Sequence, residues 1–213
     1  MPSASSHKLV PITSVIADSA PATARSTEQI LNQRRKDLIK NLEVCDLLDI
    51  RNPQSVSEYA SDIFNNMMKE EMDFVVKKDF WKKHSELKEK TRSYVVEWII
   101  EVASKFRLWT ETTFVTINYI DRYLENTKRQ VSKKDLQTMA IASLLIGCKY
   151  EEIYPPECRD MIKVSGDHSI SKSAVLKFEY DILQVLDFNM QPHTANRFLE
   201  RMVKLTNAEE KVH

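Results

Sequence analysis

Glycine is almost absent from this chain of 213 residues, which contains only Gly147 and Gly166. Loops that cradle the phosphates of nucleotides need glycines in clusters, because the backbone there has to approach the phosphate closely. The scarcity of glycine therefore argues against P-loop and dinucleotide-binding folds.

Cysteine is also scarce, and the three cysteines, Cys45, Cys148 and Cys158, form no closely spaced pair. This distribution indicates free thiols in a reducing compartment rather than a disulfide framework. Cys158 and His168 lack the spacing of metal ligands. We therefore expect neither a metal site nor a cofactor.

An excess of either charge is missing as well, since 31 Lys and Arg residues balance 31 Asp and Glu residues. Proteins that bind nucleic acid usually carry a basic excess, so we expect no nucleic-acid partner, although local basic patches remain compatible with the balance. No stretch of about 18 apolar residues occurs, and the N-terminus lacks the apolar core of a signal peptide. We expect no membrane partner.

Helical periodicity is what the chain does contain. Apolar residues recur at helical spacing from Ser57 onward, and no stretch alternates as a strand would, so we predict an all-α protein. A basic, irregular connection is expected over residues 75–84. The predicted helices begin at Ser57, near Ser85, after Thr110, after Ser132, at Pro155, after Ser171 and near Thr194.

The N-terminal part has a different composition. Residues 1 to about 27 are rich in Ser, Ala, Thr and Pro, and we predict that they are disordered. Residues 28–50 could form a marginal helix, which Asn52 and Pro53 would end. The main folded part is therefore expected to begin near residue 57.

The most informative segment is an apolar run over residues 139–148 that ends in a charged corner rich in proline. A helix that is apolar nearly all round is buried on most faces, and Ser132 with Asp135 forms a capping pair at its start. Lys149 lies in its last turn, where the helix dipole favours a cation. Pro155 suits the first turn of a following helix, so the segment predicts a buried helix, a tight corner and a new helix.

Four charged residues lie where helices are expected to pack. Arg92 and Asp121 each stand among apolar neighbours, so they either pair across two helices or reach solvent separately. Lys149 and Glu179 either meet at the surface or remain two solvated charges. The residues by themselves leave both alternatives open.

Several of these features occur together in one known family. Arg92, the string NYIDRYL over residues 118–124, the string KYEEIYPPE over residues 149–157 and Glu179 stand in the order and approximate spacing of a cyclin box. Over about residues 57–200 the chain resembles an A/B-type, or mitotic, cyclin. The second string is the most specific part of the resemblance.

The resemblance implies a five-helix cyclin box that is preceded by an N-terminal helix and followed by only the start of a second cyclin box. The expected organisation is a mostly disordered or regulatory region over residues 1–56, the N-terminal helix and connection over 57–84, the cyclin box over 85–190, and the start of a truncated second fold over 191–213.

The resemblance also implies a regulatory subunit, without catalytic residues, that binds and activates a cyclin-dependent protein kinase in mitotic cell-cycle control. Its expected location is the nucleus and the cytoplasm. Arg92 and Asp121 would form an internal salt bridge. The kinase-binding residues that the resemblance implies are Lys149, Glu179, Tyr59, Asp62, Ile63, Tyr150 and Glu152.

A patch that docks substrates or inhibitors is implied at Thr91, Tyr94, Val95, Trp98, Leu136 and Gln137. The family usually has Met-Arg-Ala-Ile-Leu at the start of this patch, whereas the chain has Thr-Arg-Ser-Tyr-Val over residues 91–95. The patch therefore loses apolar surface at Thr91 and gains an aromatic ring at Tyr94.

Two readings of the N-terminal region and two further functions remain open. Arg35 and Leu38 fit the Arg-x-x-Leu pattern of a degradation signal, and a charged helical face is the alternative. Instead of an activator, the chain could be a truncated adaptor that binds a kinase without activating it. It could also be a cyclin-fold transcription factor, which a salt-dependent interaction with DNA would reveal.

Overall fold

The computed structural model describes residues 29, 32–33, 42–167 and 169–210. Every regular element in these residues is helical and none is a strand, which confirms the all-α class. Contacts between Cα atoms divide the chain into two compact units, one up to Asp62 and one from Ile63 onward, and each is described by itself. The disorder predicted for residues 1–27 and the pattern at Arg35 and Leu38 lie outside the described residues.

The first unit contains helix α1 (Val44–Leu48) and a 3₁₀ helix (Ser57–Tyr59). Cys45 and Asp46 of α1 are buried. In the described part of the segment predicted as a marginal helix, α1 is therefore the longest helical stretch, and turns follow it before Asn52.

The remaining helices follow the order that the periodicity predicts. Two short 3₁₀ helices, Glu71–Phe74 and Phe80–Lys83, lie within the connection between the second and third helices. The α-helices are α2 (Ala60–Glu70), α3 (Glu89–Phe106), α4 (Thr110–Asn126), α5 (Asp135–Glu151), α6 (Cys158–Ser165), α7 (Lys172–Val185) and α8 (Ala195–Glu210).

Helix α5 is the centre of the second unit. All its side chains over residues 138–148 are buried, as the apolar run predicts, and α3, α4, α6 and α7 pack around it. A Cβ atom at Gly147 would collide with the Thr116 hydroxyl of α4, so glycine permits the two helices to approach closely. Gly166 ends α6 with a positive φ of 71°, which glycine adopts without strain.

The predicted start of the third helix near Ser85 is wrong, because α3 begins at Glu89. The preceding His84 is buried, and its Nε2 donates to the Leu124 carbonyl at 2.8 Å. Its Nδ1 accepts from the Val131 N–H at 3.2 Å. These bonds hold the connection at the end of α4, so the chain becomes helical only beyond this point.

The predicted start of α6 at Pro155 is also wrong, because the helix begins at Cys158. A proline disfavours the helical conformation in the residue before it, and Pro156 follows Pro155 directly. No helix forms over residues 155–157, and Glu157 precedes α6 in an extended conformation.

Two predicted caps differ in detail. Thr110 is the first residue of α4, and Trp109 occupies the capping position in its place. Ser132 and Asp135 do meet before α5, but only the carboxylate accepts: the Ser132 N–H and hydroxyl donate to Asp135 Oδ2 at 3.1 and 2.9 Å. Both helices nevertheless begin within a few residues of the predicted positions.

Candidate functional site

The last turn of α5 places Lys149 beside Glu179 of α7. Lys149 Nζ lies 2.5 Å from Glu179 Oε1. The Lys149 side chain is 52% exposed, whereas the Glu179 side chain is only 12% exposed. Since the carboxylate lies beneath the ammonium group, it holds a cation at a defined position on the surface. Of the two alternatives for these residues, the structure shows the pair.

Large apolar side chains lie exposed next to this pair in the chain. Ile153 and Tyr154 form the corner after α5 and are 81% and 90% exposed. Leu176 and Tyr180, also exposed, stand three residues before and one residue after Glu179 on α7. Exposed apolar side chains close in the chain to a fixed surface charge are a feature of protein-binding surfaces. The sequence alone did not mark these four residues as candidate binding residues.

The corner itself is fixed by Glu152. Its carboxylate accepts hydrogen bonds from the Trp109 N–H at 2.8 Å and from the Thr112 hydroxyl at 2.5 Å, which satisfies donors at the start of α4. Glu152 therefore has an internal role that the sequence did not indicate. Its neighbour Tyr150 is exposed, and partial burial of its hydroxyl together with the charge of Glu151 raises the pKa of Tyr150.

The three predicted residues of the N-terminal helix all reach solvent. Tyr59 ends the 3₁₀ helix of the first unit, and Asp62 lies in the first turn of α2, where the helix dipole favours a carboxylate. Ile63 follows in the same turn. Their side chains are exposed, as contact residues for a partner have to be.

Arg92 of α3 and Asp121 of α4 form a bidentate pair. Arg92 Nε and Nη2 donate to the two carboxylate oxygens at 2.9 and 2.6 Å. The Asp121 side chain is 10% exposed and that of Arg92 is 37% exposed. Burial raises the pKa of Asp121, and the hydrogen bonds from Arg92 oppose that effect. The same bonds raise the pKa of Arg92.

Three residues of the predicted docking patch meet at one apolar cavity. Thr91 and Val95 of α3 and Leu136 of α5 line a cavity of about 20 Å³, which is room for about one water molecule. The Thr91 hydroxyl accepts from the Lys88 N–H at 3.2 Å and so closes the first turn of α3. This internal bond explains why a polar residue is tolerated in an otherwise apolar lining.

The other three patch residues are placed differently. Tyr94 is 67% exposed on α3, and Trp98, one turn further on, is half-buried against the core. The Gln137 amide donates to the Ser165 carbonyl at 3.0 Å and thereby ties α5 to the end of α6. Gln137 is therefore engaged within the fold, whereas Tyr94 is available to a partner.

The comparison with protein families decides what this arrangement belongs to. The sequence profile described as "Cyclin, N-terminal domain" matches residues 62–191. The chain belongs to the cyclin family. The matched residues include both ion pairs, the corner and the docking patch, whereas Tyr59, Arg35 and Leu38 lie before them.

Mitotic cyclins are among the relatives of this cyclin. It is 36% identical to a G2/mitotic-specific cyclin-B of Marthasterias glacialis over 178 residues, which are 84% of this chain and 45% of the relative. It is 34% identical to a G2/mitotic-specific cyclin-B of Dictyostelium discoideum (83% of this chain, 40% of the relative). It is 36% identical to a G2/mitotic-specific cyclin-A of Patella vulgata (73% of this chain, 36% of the relative). The chain thus spans less than half the length of these relatives.

A solved structure shares the fold. The X-ray structure of a viral cyclin from herpesvirus saimiri superposes with a TM-score of 0.60 at 25% sequence identity, and the match covers 66% of this chain and 60% of the viral one. The helices that carry the two ion pairs are therefore those of a cyclin fold.

A further charged cluster in this cyclin was missed by sequence reasoning. Glu111 of α4 is buried, and its carboxylate accepts from the Thr194 hydroxyl at 2.7 Å and from the Asn196 amide at 3.0 Å. Arg197 Nε lies 3.6 Å from the same carboxylate, and Arg197 also reaches Glu151 at 3.4 Å. The cluster attaches the start of α8 to α4. In the sequence Glu111 resembles an ordinary acid in a first helical turn, so no local signal marks its burial.

Two negative findings concern the described residues only. No cluster of His, Cys, Asp and Glu residues in them could hold a metal ion. None of their helices combines the length and the apolar character that a membrane span requires.

Proposed function

We propose that this cyclin is a regulatory subunit, not an enzyme, that binds and activates a cyclin-dependent protein kinase in mitotic cell-cycle control. The Lys149–Glu179 pair carries the proposal, because it holds a cation at the surface beside exposed apolar side chains. The names of the relatives, which are G2/mitotic cyclins of types B and A, support the mitotic assignment.

Activation by such a surface is a matter of binding energy. A protein kinase needs its Lys–Glu ion pair and its metal-binding Asp in place before it can position ATP. A rigid partner that binds only the active arrangement shifts the population of the kinase towards it. The buried α5 supplies the rigidity, and Lys149 and Tyr154 supply contacts. The cyclin contributes no chemical group to phosphate transfer.

The other partners and the location complete the proposal. Substrates or inhibitors would dock through the modified patch, chiefly at the exposed Tyr94. The proposed partners include neither nucleic acid nor a membrane. The proposed location is the nucleus and the cytoplasm.

Exchange of the two charges tests the proposal. The double variant Lys149→Glu/Glu179→Lys retains an internal pair, so we expect its helical circular dichroism and its melting temperature to match those of the parent. Its affinity for a purified cyclin-dependent kinase should fall more than about 30-fold, which corresponds to about 2 kcal/mol. Phosphate transfer by the kinase, measured with and without the cyclin, should lose its stimulation to the same extent.

The matched control is Glu101→Lys/Lys105→Glu. This exchange reverses another exposed pair, with Lys105 Nζ 2.7 Å from Glu101 Oε1 on α3, and should leave kinase binding unchanged. Normal binding by the Lys149 variant would contradict the proposed site. If the parent cyclin binds kinases of a purified panel but stimulates none of them, the chain is an adaptor that binds a kinase without activating it.

A further inference from the structure

Two segments of this neutral chain concentrate positive charge. Residues 77–90 carry six lysines and three carboxylates, and residues 125–135 carry four cations and two carboxylates. The six lysines, Lys128, Arg129, Lys133 and Lys134 are all exposed. We call these exposed cations of the two segments the basic surface.

Tertiary contacts hold the two segments side by side. His84 bonds to Leu124 at 2.8 Å and to Val131 at 3.2 Å, which attaches the first segment to the residue before the second segment and to its middle. The Gln130 amide donates to the Lys83 carbonyl at 2.9 Å. The bonded residues are 40 and 47 positions apart in the sequence, so only the fold unites the charges of the two segments.

Four of the ten cations lie where helix stability does not favour them. Lys88 and Lys90 stand at the start of α3, and Lys133 and Lys134 directly precede α5. The positive end of the helix dipole disfavours cations at such positions by some tenths of a kcal/mol each. Both helix starts also add their own positive potential to the basic surface. A role in helix stability therefore does not account for the placement of these four lysines, whereas a role in binding does.

Most of these charges lack an intramolecular partner. Lys82 pairs with Asp79 at 2.9 Å, and Arg129 pairs with Asp135 at 3.0 Å. Within the described part of the chain, Lys88 and Lys133 form no ion pair, and neither do the other lysines near the two helix starts. The basic surface therefore retains positive charge that an external anion can neutralise.

We propose that the basic surface binds an acidic segment, rich in Asp and Glu, of a protein partner. Carboxylates at Asp79, Glu86 and Glu89 interrupt the cations, which suits the spaced charges of a peptide and would repel the continuous phosphate backbone of a nucleic acid. The zero net charge of the whole chain also provides no long-range attraction for nucleic acid.

The position of the basic surface suggests what the acidic segment does. Lys88 borders the apolar cavity that Thr91 and Val95 line, so the segment would lie beside the docking patch. Lys134 of the basic surface directly precedes α5, and Lys149 lies in the last turn of that helix. At 1.5 Å per residue the two lysines are about 20 Å apart along the helix axis. An acidic partner and a kinase could therefore bind together. Simultaneous binding of the two partners rests on the proposed function, whereas binding of the acidic segment itself requires no kinase.

Fluorescence anisotropy with the full chain tests the proposal. The probe is a labelled peptide of about 12 residues with alternating Glu and Ser, and its neutral counterpart has Gln in place of Glu. We expect binding of the acidic peptide alone, weakened about tenfold or more between about 50 and 300 mM salt. The variant Lys88→Glu/Lys133→Glu should lose at least about tenfold in affinity. Both positions are exposed helix starts that favour an acid, so the variant should fold normally.

A matched variant separates local from net charge. Lys105→Glu/Lys163→Glu makes the same change of net charge at exposed positions outside the basic surface and should bind the acidic peptide like the parent. An equal loss in both variants, or no binding of the acidic peptide, would overturn the proposal. So would tighter binding of a single-stranded oligonucleotide of equal charge. Kinase binding by the Lys88 variant should remain normal, so a failure here is distinguishable from a failure of the proposed kinase function.

Discussion

Single residues show how differently two ion pairs of one cyclin are built. The Lys149–Glu179 pair leaves its cation exposed above a nearly buried carboxylate, and a partner can reach it. The Arg92–Asp121 pair joins α3 to α4 through two hydrogen bonds, and its carboxylate is nearly buried too. We therefore expect the first pair to act in binding and the second in stability.

The loss of protein stability should depend on which residue of the Arg92–Asp121 pair is removed. Arg92→Ala leaves the nearly buried Asp121 carboxylate without its cation, and we expect a loss of about 3–5 kcal/mol in the free energy of unfolding. Asp121→Ala leaves Arg92, which is 37% exposed and can still reach water, so the loss should be smaller, about 1–3 kcal/mol. Urea denaturation at neutral pH measures both.

The sign of a pH effect provides the control for this prediction. Burial raises the pKa of Asp121, and removal of Arg92 takes away the effect that opposes it. A carboxyl whose folded pKa is raised destabilises the fold once it ionises, so its penalty appears as the pH rises and disappears as the pH falls. At neutral pH the free energy of unfolding should therefore be lower for Arg92→Ala than for the Arg92→Ala/Asp121→Ala double variant, and this difference should become smaller at acidic pH. A difference in the free energy of unfolding that does not change with pH would show that Asp121 is solvated.

At the scale of elements, α8 is attached to the rest of the second unit by a few specific contacts. Glu111 binds Thr194 and Asn196, and the rings of Phe64 and Phe198 meet edge to face at 5.9 Å. The other side of the helix leaves three apolar residues exposed, which are Leu199, Met202 and Val203. Such a row favours self-association.

Deletion of residues 192–213 should therefore leave a folded but less stable core. Glu111 would return to water instead of becoming a buried, unpaired charge, so we expect a cooperative melt and a loss of about 1–3 kcal/mol. The shortened chain should also be more monomeric in light scattering. In the full chain, Leu199→Ser/Val203→Ser should reduce association without loss of stability. Loss of cooperative melting after the deletion would show that α8 belongs to the core.

The apolar periodicity located the helices but not their ends, which depend on contacts and prolines outside the repeat. The apolar repeat located α3, but the turn at His84 delays its start to Glu89. Likewise the double proline displaced the start of α6 to Cys158, although a single proline suits a first helical turn.

At the scale of the whole molecule, the three cysteines report on the integrity of the fold. All three are free thiols, as their spacing in the sequence predicts, and the structure also shows that all three are buried. Burial is the main cause that raises the pKa of Cys148 to about 12, so its reactive thiolate is scarce at neutral pH. Iodoacetamide should therefore leave Cys148 unmodified in the native protein.

Mass spectrometry across a urea series measures this protection. Modification of Cys148 should begin with the same midpoint as the loss of helical circular dichroism, because α5 is exposed only when the second unit unfolds. Rapid modification in the absence of urea would show that α5 opens locally. Modification in strong denaturant serves as the control for reactivity.

The sequence by itself predicted the helical class, the burial of α5 and the candidate ion pairs. Periodicity and the string over residues 149–157 are local features of the sequence, which do not depend on residues that are distant in the chain. Tertiary structure alone decided which charges meet. Only the packing of α4, α5 and α8 buries Glu111 and turns Glu152 inward, and only the alignment of two distant connections creates a basic surface on a chain of zero net charge. Burial and electrostatic potential are properties of neighbours in space, so residues that are far apart in sequence acquire them only when the helices pack.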